Sequence, residues 1–137
     1  MTRFHRATVT MLTFLGLLLP TGSPFAADAA RLIEVVADKD NRFKVPGQKK
    51  PVITVKAGEV IRLQITARKG PEWHKDGWVH SFTITALKDQ GWDLQLKEGL
   101  KEFVLVAPEE PGEYKVECLV MCGKGHEEMR MTLVVTP

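Results

Sequence analysis

Beyond residue 30 the apolar positions alternate with polar ones at a period of two rather than 3.6, the signature of half-buried strands. Eight segments carry the pattern: Arg31 to Ala37, Val52 to Lys56, Val60 to Ala67, His80 to Leu87, Trp92 to Leu96, Glu102 to Ala107, Glu113 to Leu119 and Met129 to Val135. All are rich in Val, Ile, Thr and aromatic residues, which fit a pleated surface. The breaks between them hold turn chemistry: Pro46-Gly47, Ala57-Gly58-Glu59, Lys69-Gly70-Pro71, Gly91, Gly99 and Pro111-Gly112. No segment reads as a convincing helix. About eight short strands at this spacing predict an all-β chain folded as a Greek-key β-sandwich.

The first 27 residues read differently. Arg3 and Arg6 precede an apolar stretch from Met11 to Leu19, followed by Pro20, Gly22 and Pro24 and then by Ala26 and Ala27. Basic, apolar and small segments in that order predict a secretory signal peptide over 1–27, with a single domain over 28–137. The apolar part is too short to span a bilayer with ease. Export to the periplasm or its equivalent is therefore the expected localisation, with no membrane span after cleavage.

Removing the leader changes the charge. The whole chain has 19 Lys plus Arg against 17 Asp plus Glu, and without Arg3 and Arg6 the balance is 17 against 17. No long run of one sign remains. Nucleic acid and anionic membrane surfaces are thus not expected partners.

Cys118 and Cys122 are the only cysteines, and they open the run Cys118-x-x-x-Cys122-x-x-x-His126-x-x-Met129. Thiolate and thioether suit Cu(I), and imidazole serves both copper oxidation states, so the run is a copper-binding inventory. An oxidising compartment also allows a plain disulfide between the two cysteines. That bridge would close only a small loop and leave His126 and Met129 without a role. A single blue-copper ion on His80, Cys122, His126 and Met129 is a further alternative, with Cys118 left as a spare thiol.

Phe43-x-Val45-Pro46, the segment Pro51 to Glu59, and Pro111-Gly112-Glu113-Tyr114 leading into Cys118 resemble the strands of secreted cupredoxins. Within that superfamily the spacing of Cys118, Cys122, His126 and Met129 resembles the binuclear CuA site of cytochrome c oxidase subunit II and nitrous oxide reductase. Val79-His80-Ser81-Phe82 is similar to the context of the upstream histidine in those proteins. The resemblance implies two copper ions bridged by both thiolates, with one imidazole each from His80 and His126. It further implies Met129 as a ligand of one ion and the Val120 backbone carbonyl as a ligand of the other.

Two departures qualify the resemblance. Subunit II usually carries an acidic residue between the cysteines and another shortly before the histidine; Val120 and Gly77 stand there, with Asp76 displaced by one. The transmembrane hairpin that precedes the oxidase domain is also missing, so a soluble, free-standing copper protein is expected.

Two roles follow: a one-electron carrier working with a redox protein such as a cytochrome, or a chaperone or storage protein passing copper to an exported acceptor. No enzyme or small-molecule substrate is expected, because assigning every ligand leaves no open metal position. Other residues receive blander readings. His74 is expected to face solvent near the site, and His5 falls in the leader. Met121 and Met131 are expected to pack, whereas Trp73 and Trp78 either shield the site or anchor a loop.

Overall fold

The structure, a computed structural model, describes residues 30–72 and 76–137; the leader and its cleavage region, with Trp73 and His74, lie outside them. Nine strands follow one another: β1 (Arg31–Ala37), β2 (Phe43–Lys44), β3 (Val52–Lys56), β4 (Val60–Ala67), β5 (His80–Thr83), β6 (Asp93–Leu96), β7 (Gly99–Val106), β8 (Gly112–Glu117) and β9 (Arg130–Thr136). They form a sandwich of two sheets, ordered β2-β1-β4-β7 and β3-β9-β8-β5-β6. Pairing is parallel for β1 with β4 and for β3 with β9, and antiparallel elsewhere.

Alternation does the sorting. In β4, Ile61, Leu63, Ile65 and Ala67 are buried while the intervening residues reach the surface. Their counterparts on the facing sheet include Ile53, Val55, Val116 and Leu133. Phe43 meets Phe82 edge to face, with centroids 5.6 Å apart and planes at 74°, the geometry favoured by aromatic quadrupoles.

The strand expectations hold in place but not at every end. The segment expected to run from His80 to Leu87 stops as a strand at Thr83, and a 3-10 turn covers Thr85–Gln90. The chain reverses there through Leu87 N–H to Ile84 O at 2.9 Å and Gly91 N–H to Lys88 O at 3.2 Å. β7 begins three residues earlier than expected, at Gly99, because its ladder with β4 extends to Ala67↔Gly99. β2 is an extra two-residue strand paired with the end of β1. Among the described residues, no helix is long and apolar enough to cross a membrane.

All four residues of β5 are buried. β5 meets β8 at one ladder pair, Thr83↔Glu117. Beyond that pair the loop from 118 to 129 leaves β8 and returns into β9. The candidate chemistry collects at this end of the sandwich.

Candidate metal centre

The loop is closed at its base by Cys118 N–H donating to Met129 O at 3.2 Å. Within it, His126 N–H bonds to Gly123 O at 3.1 Å and Met129 N–H to His126 O at 3.0 Å, making a 3-10 turn over His126–Glu128. Gly123 has φ of 105°, and a Cβ there would stand 2.8 Å from Glu72 Cβ. Only glycine tolerates both the left-handed backbone and the close approach.

These constraints turn the donors inward. His80 and Met129 are fully buried, Cys118 and Cys122 nearly so, and His126 and Val120 are half-buried. The His80 ring nitrogens and the Cys118 and Cys122 sulfurs include one donor atom per residue that all lie within 4.8 Å of one another. Cys122 Sγ is 3.7 Å from Cys118 Sγ, 3.5 Å from His126 Nδ1 and 3.9 Å from Met129 Sδ. The Val120 carbonyl is 3.3 Å from Cys118 Sγ. His80, Cys118 and Cys122 thus form one close group, with His126 and Met129 joined to it through Cys122 and the Val120 carbonyl through Cys118.

The protonation state of His80 follows from its partner. Nε2 lies 2.9 Å from the Arg68 carbonyl, which can only accept, so Nε2 carries the proton. Nδ1 is then the lone-pair nitrogen, and it is buried without a hydrogen-bond partner. A buried acceptor left unmatched costs about 1–3 kcal/mol. Such a nitrogen, beside two thiols, suits a metal ligand.

Both cysteines are free. Their sulfurs stand well beyond the roughly 2.05 Å of a disulfide, yet at a separation one ion could span with metal–sulfur lengths near 2.3 Å. Cys118 ionises below an ordinary thiol, because the Cys122 thiol hydrogen-bonds to its thiolate, with help from the Ser81 N–H. Cys122 is pushed up in turn by that neighbouring thiolate and by burial. The pair therefore shares one proton between two sulfurs.

Supports unforeseen in the sequence surround the donors. Ser81 N–H donates to Cys118 Sγ at 3.3 Å, and Ser81 Oγ accepts the Leu119 N–H at 2.8 Å. The Ser81 and Thr83 hydroxyls are 3.1 Å apart, and Thr83 donates to Asp93 Oδ1 at 2.8 Å. A serine next to a candidate histidine was the only local sign of this network.

The methionines separate. Met131 packs in the core as expected, but Met121 is 69% exposed: Cys122 turns inward, and its neighbour is carried outward. Trp78 lies half-buried under Lys97, whose Nζ is 5.0 Å from the ring centroid. With Gln95, Leu119, Val120 and Met121 it lines a shallow cavity beside the loop.

No family model matches the chain, and no curated protein does. Solved structures do. A chain of a heme-copper terminal oxidase dimer aligns with a TM-score of 0.58 at 18% identity, over 93% of this chain and 78% of its own. The periplasmic domain of subunit II of cytochrome oxidase from Bradyrhizobium japonicum gives 0.54 at 20% identity, covering 77% and 83%. Auracyanin from Roseiflexus castenholzii gives 0.51 at 19% identity, covering 80% and 99%. The architecture is thus cupredoxin-like, as the resemblance implies.

Proposed function

We propose that this chain is an exported copper protein that carries single electrons, with a binuclear CuA-type centre held by His80, Cys118, the Val120 carbonyl, Cys122, His126 and Met129. The observation that carries the reading is the pair of buried free sulfurs 3.7 Å apart beside an imidazole nitrogen without a partner. Soft sulfur with imidazole is the donor chemistry copper prefers. Two thiolates would contribute two negative charges, offsetting most of the three positive charges of a Cu(I)/Cu(II) pair in a buried site.

The copper pair, when bound, supplies a one-electron couple. The chain supplies rigidity. His80 starts a fully buried strand, and its ring is fixed by the Arg68 carbonyl. Cys118 follows β8 directly and is held by Ser81. Met129 directly precedes β9. Donors held in this way change position little between oxidation states, which favours fast outer-sphere transfer. The expected partner is a redox protein such as a cytochrome, meeting the exposed loop around Leu119 and Met121.

A mononuclear blue-copper site is the second reading, favoured by one feature: His126 and Met129 both converge on Cys122. Reconstitution with copper separates the two. Two coppers per chain sharing one unpaired electron in electron paramagnetic resonance are expected, whereas a single-copper signal that survives Cys118→Ser overturns the binuclear assignment.

A further inference from the structure

Asn41 belongs to none of the donors and lies in the turn between β1 and β2, yet it is only 3% exposed. Its Nδ2 donates to the Lys124 carbonyl at 2.7 Å, across 83 residues of sequence. Lys124 stands midway between Cys122 and His126. We infer that Asn41 is a positioning residue for the metal centre: it ties the β1–β2 turn to the segment that carries Cys122 and His126.

The turn is built for that reach. Asn41 N–H bonds to Asp38 O and Asp38 N–H to Arg42 O, both at 3.0 Å, so the backbone is closed on itself before the side chain is used. Asn41 adopts φ of 55°, a conformation that Asn tolerates better than most residues. Glycine would satisfy that backbone equally well, and conformation alone therefore does not account for a buried amide. Burying one costs free energy unless it is hydrogen-bonded; the Nδ2 end is matched by the Lys124 carbonyl, while Oδ1 is buried without a hydrogen-bond partner, so the Lys124 contact is the one bond that holds the side chain in place. The turn also packs closely on the loop: a Cβ at Gly125 would lie 3.8 Å from both Asn41 Cβ and the Asp40 carbonyl.

The same turn touches the other half of the site. Asp38 Oδ1 is 3.4 Å from an Arg68 guanidinium nitrogen, and Arg68 N–H bonds to Ala37 O at 2.8 Å. Arg68 in turn presents the carbonyl that orients His80. One turn thus lies behind His80 on one side and behind Cys122 and His126 on the other. The bonds of the 3-10 turn itself are local, from His126 N–H to Gly123 O and from Glu128 N–H to Gly125 O. They fix the loop's shape but not its place relative to β5.

The inference rests on the metal reading above, and its test separates the two. In Asn41→Gly the backbone is unstrained and only the side chain is lost. Amide hydrogen exchange of the metal-free chain is expected to speed up about tenfold at His126 and Glu128, whose N–H groups bond within the loop, the size of effect one hydrogen bond carries, with the β8–β9 ladder unchanged. Competition with a Cu(I) chelator is expected to show affinity lowered about tenfold. Asn41→Asp keeps the shape but offers an oxygen to the Lys124 carbonyl, so it should behave like the glycine variant. If both variants unfold more easily while loop exchange and copper affinity stay at wild-type values, the residue only stabilises the fold and the inference is overturned. Failure of the wild-type chain to take up copper would sink the metal reading, and the exchange measurement would still decide whether Asn41 holds the loop.

Discussion

Ser81 grips the start of the 118–129 loop twice, its N–H on Cys118 Sγ at 3.3 Å and its Oγ on the Leu119 N–H at 2.8 Å. The β5–β8 ladder has ended at Thr83↔Glu117, so a side chain continues the pairing where the strands part. Ser81→Ala would leave the Leu119 N–H without its acceptor. A stability loss of about 1–3 kcal/mol is expected, lowering the thermal midpoint by roughly 4–15 °C. Circular dichroism melts of the metal-free protein check this; an unchanged midpoint would mean that the Leu119 N–H is satisfied some other way.

Met129 fills a fully buried position and also points a thioether at Cys122. The two roles come apart in Met129→Leu, which keeps the volume and removes the sulfur. Urea unfolding of the metal-free variant should shift by less than about 1.5 kcal/mol. Its Cu(I) affinity should fall about tenfold or more, since a thioether is a Cu(I)-favouring donor. Equal affinity in the two proteins would assign Met129 to packing alone.

The division between local and distant information explains what could be read from the chain. Strand alternation is local, so Val60 to Ala67 and Val52 to Lys56 were legible to the residue. The candidate ligand run is local too: Cys118 to Met129 spans one loop. His80 needed a family resemblance, because nothing at position 80 reveals which loop will fold against it. The Arg68 carbonyl that sets the His80 tautomer has no sequence signature at all, since every residue owns a carbonyl. Asn41 reads locally as an ordinary turn residue, and only its partner 83 positions away gives it meaning. Met121 was misread for a related reason: its outward direction follows from Cys122 turning in.

Asp38 makes a prediction about acid. The Lys44 ammonium, 2.5 Å from its carboxylate, the Lys39 N–H and Arg68 together hold its pKa down from 3.8 to about 2. A carboxyl whose folded value is depressed stabilises the fold above its ordinary range, and that stabilisation is lost as pH falls through the folded value. The window therefore runs from about pH 4 down to about 2. The contribution is on the order of 1–2 kcal/mol, because Lys44 and Arg68 are themselves half-exposed. Urea midpoints should drop across that window in the wild type and more shallowly in Asp38→Asn. Parallel curves would show that Asp38 is not among the groups responsible.

Carriage and delivery of copper make opposite demands on exchange. His80, Cys118, Cys122 and Met129 are each 3% exposed or less, and only His126 among the side-chain donors reaches the surface in part. A competing chelator therefore has one donor to attack directly. The others become accessible only when the loop opens, and local opening of a segment held at both ends by strands is infrequent. Copper transfer to an excess of chelator is expected over minutes or longer. His126→Ala should hasten it at little cost to metal-free stability, because the residue is half-buried and contacts Cys122 mainly through its ring nitrogen. A delivery protein would release within seconds. Release on that scale by the wild type, with no reversible one-electron couple in voltammetry, would replace the carrier reading with one of copper delivery.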